Sequence, residues 1–281
     1  MTWWCSAQGL PWTWTWRAYP GVWLVVLALA GAYLWAIYRM LPPAGRTDAP
    51  AASRPERTLF AVGVVSVWIA LDWPVGALGA GYLLSVHQLQ YVLLVMVAPP
   101  LLLMGMPVWL LSWLTDLRGA KPLAQFVTRP LPAIVICNAI VVVTHLPAVV
   151  DGFMATQFGS FLLDMSWLTA GLILWWPVLR RIPELNGLTY PARFGYLLAV
   201  TLVPGVPAAF MFFSDYPIYA LYELAPPVGL LPARDDQFVG GIIMKLGSFM
   251  VILVALTVLW FRWHASERVQ KERIALPRPV A

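Results

Sequence analysis

Apolar residues in this chain fall in long unbroken runs, not in strand-like alternation. A run of about 20 residues is enough for a helix to cross the hydrocarbon core of a bilayer. Seven segments qualify: Gly21 to Met40, Leu59 to Trp73, Gly81 to Trp113, Leu131 to Val150, Phe158 to Leu179, Arg193 to Phe213 and Gly241 to Trp263. The second extends back through Arg57 by snorkelling, and the sixth is kinked by Pro204 and Pro207. The third is too long for one straight helix and carries Pro99-Pro100 and Pro107. Because proline lacks the amide donor and crowds the preceding turn, this span is expected to end near Pro99-Pro100. Residues 101–114 then form a re-entrant or interfacial piece, the alternative being an eighth span. Without alternation a transmembrane barrel is excluded. The pattern predicts an all-α fold, a polytopic transmembrane bundle of seven spans.

The flanks read differently. Residues 1–20 hold Trp3, Trp4, Trp12, Trp14 and Trp16 but no basic region followed by a compact apolar stretch. They read as a mature segment at headgroup level, where indole is favoured, and not as a cleaved signal. Residues 21–264 are one membrane domain. Residues 42–58 are a Pro/Ala linker, and 265–281 a short, polar, mobile cytoplasmic tail.

Composition agrees. Of 281 residues, 60% are hydrophobic and only 11% charged, with a mean hydropathy of +0.75; soluble domains carry about 25% charged residues. An ordinary soluble enzyme, a disordered chain and a nucleic-acid-binding partner role are excluded. The net charge of +5 has a topological origin. Arg39, Arg46, Arg54 and Arg57 follow the first span, and Arg118, Lys121 and Arg129 the third. Arg180, Arg181 and Arg193 follow the fifth, and Arg262, Arg268, Lys271, Arg273 and Arg278 lie at the C-terminal end. These are 15 of the 18 basic residues. The positive-inside bias then places the N-terminus out and the C-terminus in.

Polar residues inside apolar runs are costly and therefore informative. Given that orientation, His87, Gln88, Gln90 and Tyr91 on the third span lie in its outer half. His145 lies at the outer end of the fourth, Ser160 and Asp164 near the outer end of the fifth, and Asp236, Gln237, Met244 and Lys245 at the start of the seventh. Helix polarity thus collects them on one side, an arrangement that argues against a transport path across both leaflets. Imidazole and thioether suit copper, so His87, His145 and Met244 are candidate ligands, against the alternative that each is a packing residue. Asp164 and Lys245, at similar depth, are expected to form an ion pair across spans five and seven, the alternative being a lysine that snorkels alone. Cys5 and Cys137 are too separated for a disulfide, and no catalytic residue set is evident, so no turnover is implied.

At HQLQYVLLVMVAPPLLLMGMP (87–107), with AYLWAIYRM (32–40), THLPAVVDGFM (144–154), AGLILWWPVL (170–179) and DQFVGGIIMK (236–245), the chain resembles the CtaG-type cytochrome c oxidase assembly factors, a seven-span family linked to caa-type oxidases. The resemblance implies a bacterial inner (plasma) membrane location, haem–copper oxidase subunits as partners and copper as a candidate cofactor. His87, His145, Asp236 and Met244 carry over. The family's second histidine, four residues after His87, is Tyr91 here; its H-x-x-x-H pair is Ser160 and Asp164; its tryptophan after Met244 is Lys245. These departures suggest that an ion pair replaces a metal site. Three readings stay open: an assembly factor handling copper at the outer face, a non-metal accessory or scaffold subunit, and a small-solute transporter.

Overall fold

A computed structural model describes residues 2–40, 52–117, 120–179 and 188–275. Arg46, Arg118, Arg180, Arg181, Arg278 and positions 42–51 of the expected linker lie outside the described residues.

The described residues fold as α1 (Pro20–Arg39), α2 (Arg54–Leu71), α3 (Val75–Gly81), α4 (Leu84–Tyr91), α5 (Ala98–Gly105), α6 (Val108–Asp116), α7 (Ala120–Val127), α8 (Pro130–Thr144), α9 (Pro147–Met154), α10 (Gln157–Leu179), α11 (Tyr190–Val200), α12 (Gly205–Phe213), α13 (Ala220–Glu223), α14 (Ala233–Ile242) and α15 (Ser248–Ala275). Two π-helical stretches, Val92–Val97 and Ile243–Gly247, join α4 to α5 and α14 to α15 without a break. Five helices are long and apolar enough to cross a membrane, or up to seven if the bent pairs α2–α3 and α7–α8 each count as one. The protein is a membrane-integral helix bundle.

Several boundaries differ from the sequence expectation, each for a local reason. The second span starts at Arg54 because Ser53 and Glu56 form a reciprocal capping box. The third runs through Pro99-Pro100 to Gly105 as one rod, Leu84–Gly105, instead of stopping at the prolines. Pro99 removes the amide that would bond the Val95 carbonyl. The π turn absorbs the misfit, and the Trp175 indole, at 3.1 Å, supplies the missing donor. Gly81 belongs to the separate α3, not to this span, and residues 108–116 form the separate helix α6. The fourth ends at Thr144, because Pro147 disfavours helical geometry at Leu146. The sixth is interrupted by turn residues 201–204, at Pro204 and before Pro207, yet Tyr190–Phe213 continues as one span, in keeping with the expected kink. The seventh begins at Ala233 and continues to Ala275, so the described part of the expected mobile tail is helical.

The rod Leu84–Gly105 is the central helix. Within its apolar window 72% of residues are buried, against 22% for α1. Hydrogen bonds gather one end of the bundle. Gly21 at the start of α1 bonds Trp3, Cys5 bonds Leu71 at the end of α2, Ser85 at the start of α4 bonds Asp236 in α14, and Trp3 bonds Gln157 at the start of α10. The side chain of Gln88 meets His145 at the end of α8. Helices therefore alternate in direction, and this strap end, named for the N-terminal segment lying across it, collects polar side chains from distant parts of the chain. The N-terminal segment itself departs from the interfacial reading: Trp4 is fully buried, whereas Trp14 and Trp16 are exposed.

Candidate functional site

The site is built at the strap end around Trp167, the fully buried indole of α10. Its Nε1 donates to Thr144 Oγ1 at 2.9 Å, tying α10 to α8. Three rings from other helices lean on it: His87 at 4.8 Å between centroids, Tyr91 at 5.5 Å and His145 at 5.6 Å, the last stacked. His87 and Tyr91 share a face of the central rod because they are four residues apart. His145 sits at the α8 C-cap, where Pro147 ends the helix and frees its ring to turn inward.

The two histidines differ in their bonds. His145 Nδ1 lies 2.7 Å from the Val141 carbonyl and must donate to it. In the neutral ring this leaves Nε2 as the lone-pair nitrogen, 3.2 Å from the Gln88 side-chain amide. Turning the Gln88 amide so that its NH2 faces the ring lets it donate to Nε2 and leaves its carbonyl oxygen buried without a protein partner. His87 is fully buried, and neither of its ring nitrogens has a protein partner. Gln90 Oε1, Asn138 Oδ1 and Asp164 Oδ1 are also buried without one. Gln90 spends its amide on the Ala70 carbonyl at 2.8 Å.

A roof closes this cluster. Tyr222 and Tyr219, from the short α13, donate to the carbonyls of Gly79 at 2.6 Å and His145 at 2.9 Å. The Tyr222 ring lies 5.8 Å from His87. Asp151 accepts from the Leu221 and Ala220 amides and anchors α13. Beside α13, Trp4 Nε1 donates to Asp164 Oδ2 at 2.8 Å.

Asp164 is therefore paired with an indole, not with Lys245. The expected ion pair between the two is not formed, and Lys245 is exposed. Its Nζ lies at the break between α11 and α12, against Gly205. Burial argues for this outcome, because a neutral N–H donor satisfies Asp164 without desolvating a second charge. Lys245 lines a separate small cavity of about 30 Å³ with Tyr91, Met244, Cys137 and Ser248. Met244 thus lies on this cavity, whereas His87 and His145 do not line it. Among the described residues no three His, Cys, Asp or Glu side chains cluster as a metal-binding group. Asp236 is structural: it accepts the Ser85 amide at 3.2 Å and the Ser85 hydroxyl, capping α4. Both cysteines are buried free thiols.

Three contributors escaped the sequence reading: Trp4, Trp167 and Tyr222. The usable signal was a tryptophan in mid-span, away from the depth where indoles form a belt.

The description "Cytochrome c oxidase caa3 assembly factor (Caa3_CtaG)" belongs to the family whose profile matches residues 31–266, which span the central rod, both histidines and the α14 aspartate. The chain belongs to this family. It is 26% identical over 272 residues to an uncharacterized protein of Mycobacterium bovis, the match covering 77% of this chain and 40% of the relative. A Mycobacterium leprae protein, also described as uncharacterized, is 24% identical over 211 residues, covering 68% of this chain and 32% of the relative. The chain thus spans less than half the length of the curated relatives it matches. No solved structure matches. Within this Caa3_CtaG family member, the seat of the family-like stretches is the strap-end cluster: four of the five quoted strings contribute to it or to the rod behind it.

Proposed function

We propose that this chain assists assembly of a haem–copper cytochrome c oxidase from within the bacterial inner membrane, with its strap end facing the extracytoplasmic side. Family membership supports the oxidase connection. The observation that carries the site is His87, an imidazole sealed in the bundle with neither nitrogen in hydrogen-bond geometry with a protein atom, the Gln90 side chain standing beside it. A buried polar group without a partner costs about 1–3 kcal/mol, so its retention in this position argues for a ligand or water it must meet.

Copper enters as cargo, not as a resident centre. His87 offers a free nitrogen, and His145 has its tautomer fixed by the Val141 carbonyl, as metal-binding histidines commonly do. Imidazole and thioether donors suit copper, but the separation of Met244 and the lack of a third clustered donor fit transient handling better than a closed site. That same lack favours a second reading, a scaffold or accessory subunit that holds oxidase subunits without metal. The chain's role in either case is binding, with no turnover.

Metal analysis of the purified protein, with and without co-purified oxidase, separates the readings. Copper handling predicts near-stoichiometric copper(I) in the wild type, falling about tenfold in His87→Ala and His145→Ala. Oxidase co-purification with no metal supports the scaffold. Absence of both copper and oxidase overturns the proposal.

A further inference from the structure

The segment before α1 has a seat made for it. Residues 2–10 contain no helix or strand and run extended across the strap end. Trp3, Cys5 and Ala7 alternate along it, and each rests on a glycine. A Cβ at Gly21 would lie 2.4 Å from the Trp3 ring, one at Gly76 3.0 Å from Cys5 Sγ, and one at Gly81 2.6 Å from the Ala7 backbone. At Gly21 and Gly81 the groove admits this segment only because no side chain stands there; a Cβ at Gly76 would run first into the Leu71 carbonyl. Trp4, at a bend in the segment, turns into the bundle, where it is fully buried and bonded to Asp164. Phe161 packs edge-on against its ring at 5.0 Å. The segment is fastened by hydrogen bonds along its length: the Trp3 and Trp4 amides to Gln157 Oε1, Gly21 N–H to the Trp3 carbonyl, Cys5 Sγ to the Leu71 carbonyl, Ala7 N–H to the Met154 carbonyl, and the Tyr82 hydroxyl to the Leu10 carbonyl. Ser160, one turn from Asp164 on the same helix, is sealed at 1% exposure.

We infer that this segment is a displaceable plug, with Trp4 as its stopper and Asp164 as its catch, and that lifting it opens Asp164 and the α10 face beside the His87 cluster to water or a polar ligand. An unclaimed atom favours release: Asp164 Oδ1 has no protein partner while the plug is seated. Solvent or a ligand would satisfy it once the plug lifts. Burial of Trp4 and the hydrogen bonds along the segment oppose release. The inference rests on the cluster being a site that something must reach, but not on copper or on any oxidase.

The test is thiol labelling of purified full-length protein, with no metal or oxidase added. Ser160→Cys, in a Cys5→Ser, Cys137→Ala background, places a maleimide target at a buried position one turn from the catch, beside Met154, whose carbonyl holds Ala7. Trp4→Phe keeps an aromatic side chain and removes the catch; Gly81→Ala leaves the catch and crowds the seat. Labelling of Cys at position 160 is expected to be slow in the background protein and at least about tenfold faster with either change, at an unchanged size-exclusion profile. If one variant misfolds, the other carries the test. Rates within about twofold of the background, in a variant that keeps its fold, overturn the plug. So does fast labelling before either change. Both results leave the oxidase reading standing, because neither copper nor oxidase is measured.

Discussion

Two of the three buried aspartates among the described residues, Asp72 and Asp164, accept from indoles, and the third, Asp236, accepts from Ser85. Asp72 Oδ2 accepts from Trp23 at 2.9 Å and Trp68 at 2.7 Å, and Asp164 from Trp4. A neutral donor fits low-dielectric surroundings, where a second charge would carry its own desolvation cost. The five tryptophans of residues 1–20 read from sequence as interfacial, yet Trp4 is core. The sequence marked His87, His145 and Asp164 as polar groups inside apolar runs, where their cost is legible, and all three are buried in the bundle. Their partners were not legible, since an indole donor and a lysine look equally available until helices are placed. Cys5 lies between these carboxylates. Burial first, then the charges of Asp164 and Asp72, push its thiol well above the usual range. With the thiolate scarce, iodoacetamide at mildly alkaline pH is expected to modify Cys5 about tenfold more slowly in native protein than in unfolded protein. Equal rates, read by mass spectrometry, would contradict this burial.

At the scale of elements, two π turns interrupt the helices that carry the site. One follows Tyr91; the other contains Met244 and Lys245. The first arises from Pro99 and is repaired by Trp175, so the AGLILWWP string and the APPLL string are two halves of one joint. Gly171 belongs to it: a Cβ there would lie 2.6 Å from the Val95 carbonyl and 2.4 Å from Pro99. Trp175→Phe keeps most of the packing but strands that carbonyl, a loss of about 1–3 kcal/mol. A lowered thermal midpoint in detergent should report it, and no change would mean that another donor reaches Val95. Gly241 of DQFVGG works likewise, letting α14 meet Ala208 and Phe212 on α12. Helix existence followed from apolar run length. Helix ends did not, because caps, proline geometry and repairs between helices decide them.

At the scale of the molecule, alternating helix directions bring His87, His145, Asp164 and Asp236 to one end, as expected from their depth. The number of crossings stands at five to seven by length and composition, and the orientation follows only from the distribution of basic residues. Reporter fusions at the C-terminus should give a cytoplasmic signal, and labelling of a cysteine placed at the exposed Trp14 should need no membrane permeation; the reverse pattern would invert the assignment of the strap end. The bonds that hold Trp3 and Trp4 reach across 154 and 160 positions to Gln157 and Asp164. During synthesis Trp3 and Trp4 therefore wait for α10 before they can dock. Until then the nascent chain carries an undocked, tryptophan-rich segment, a portion in need of a chaperone or of the lipid surface to shield it.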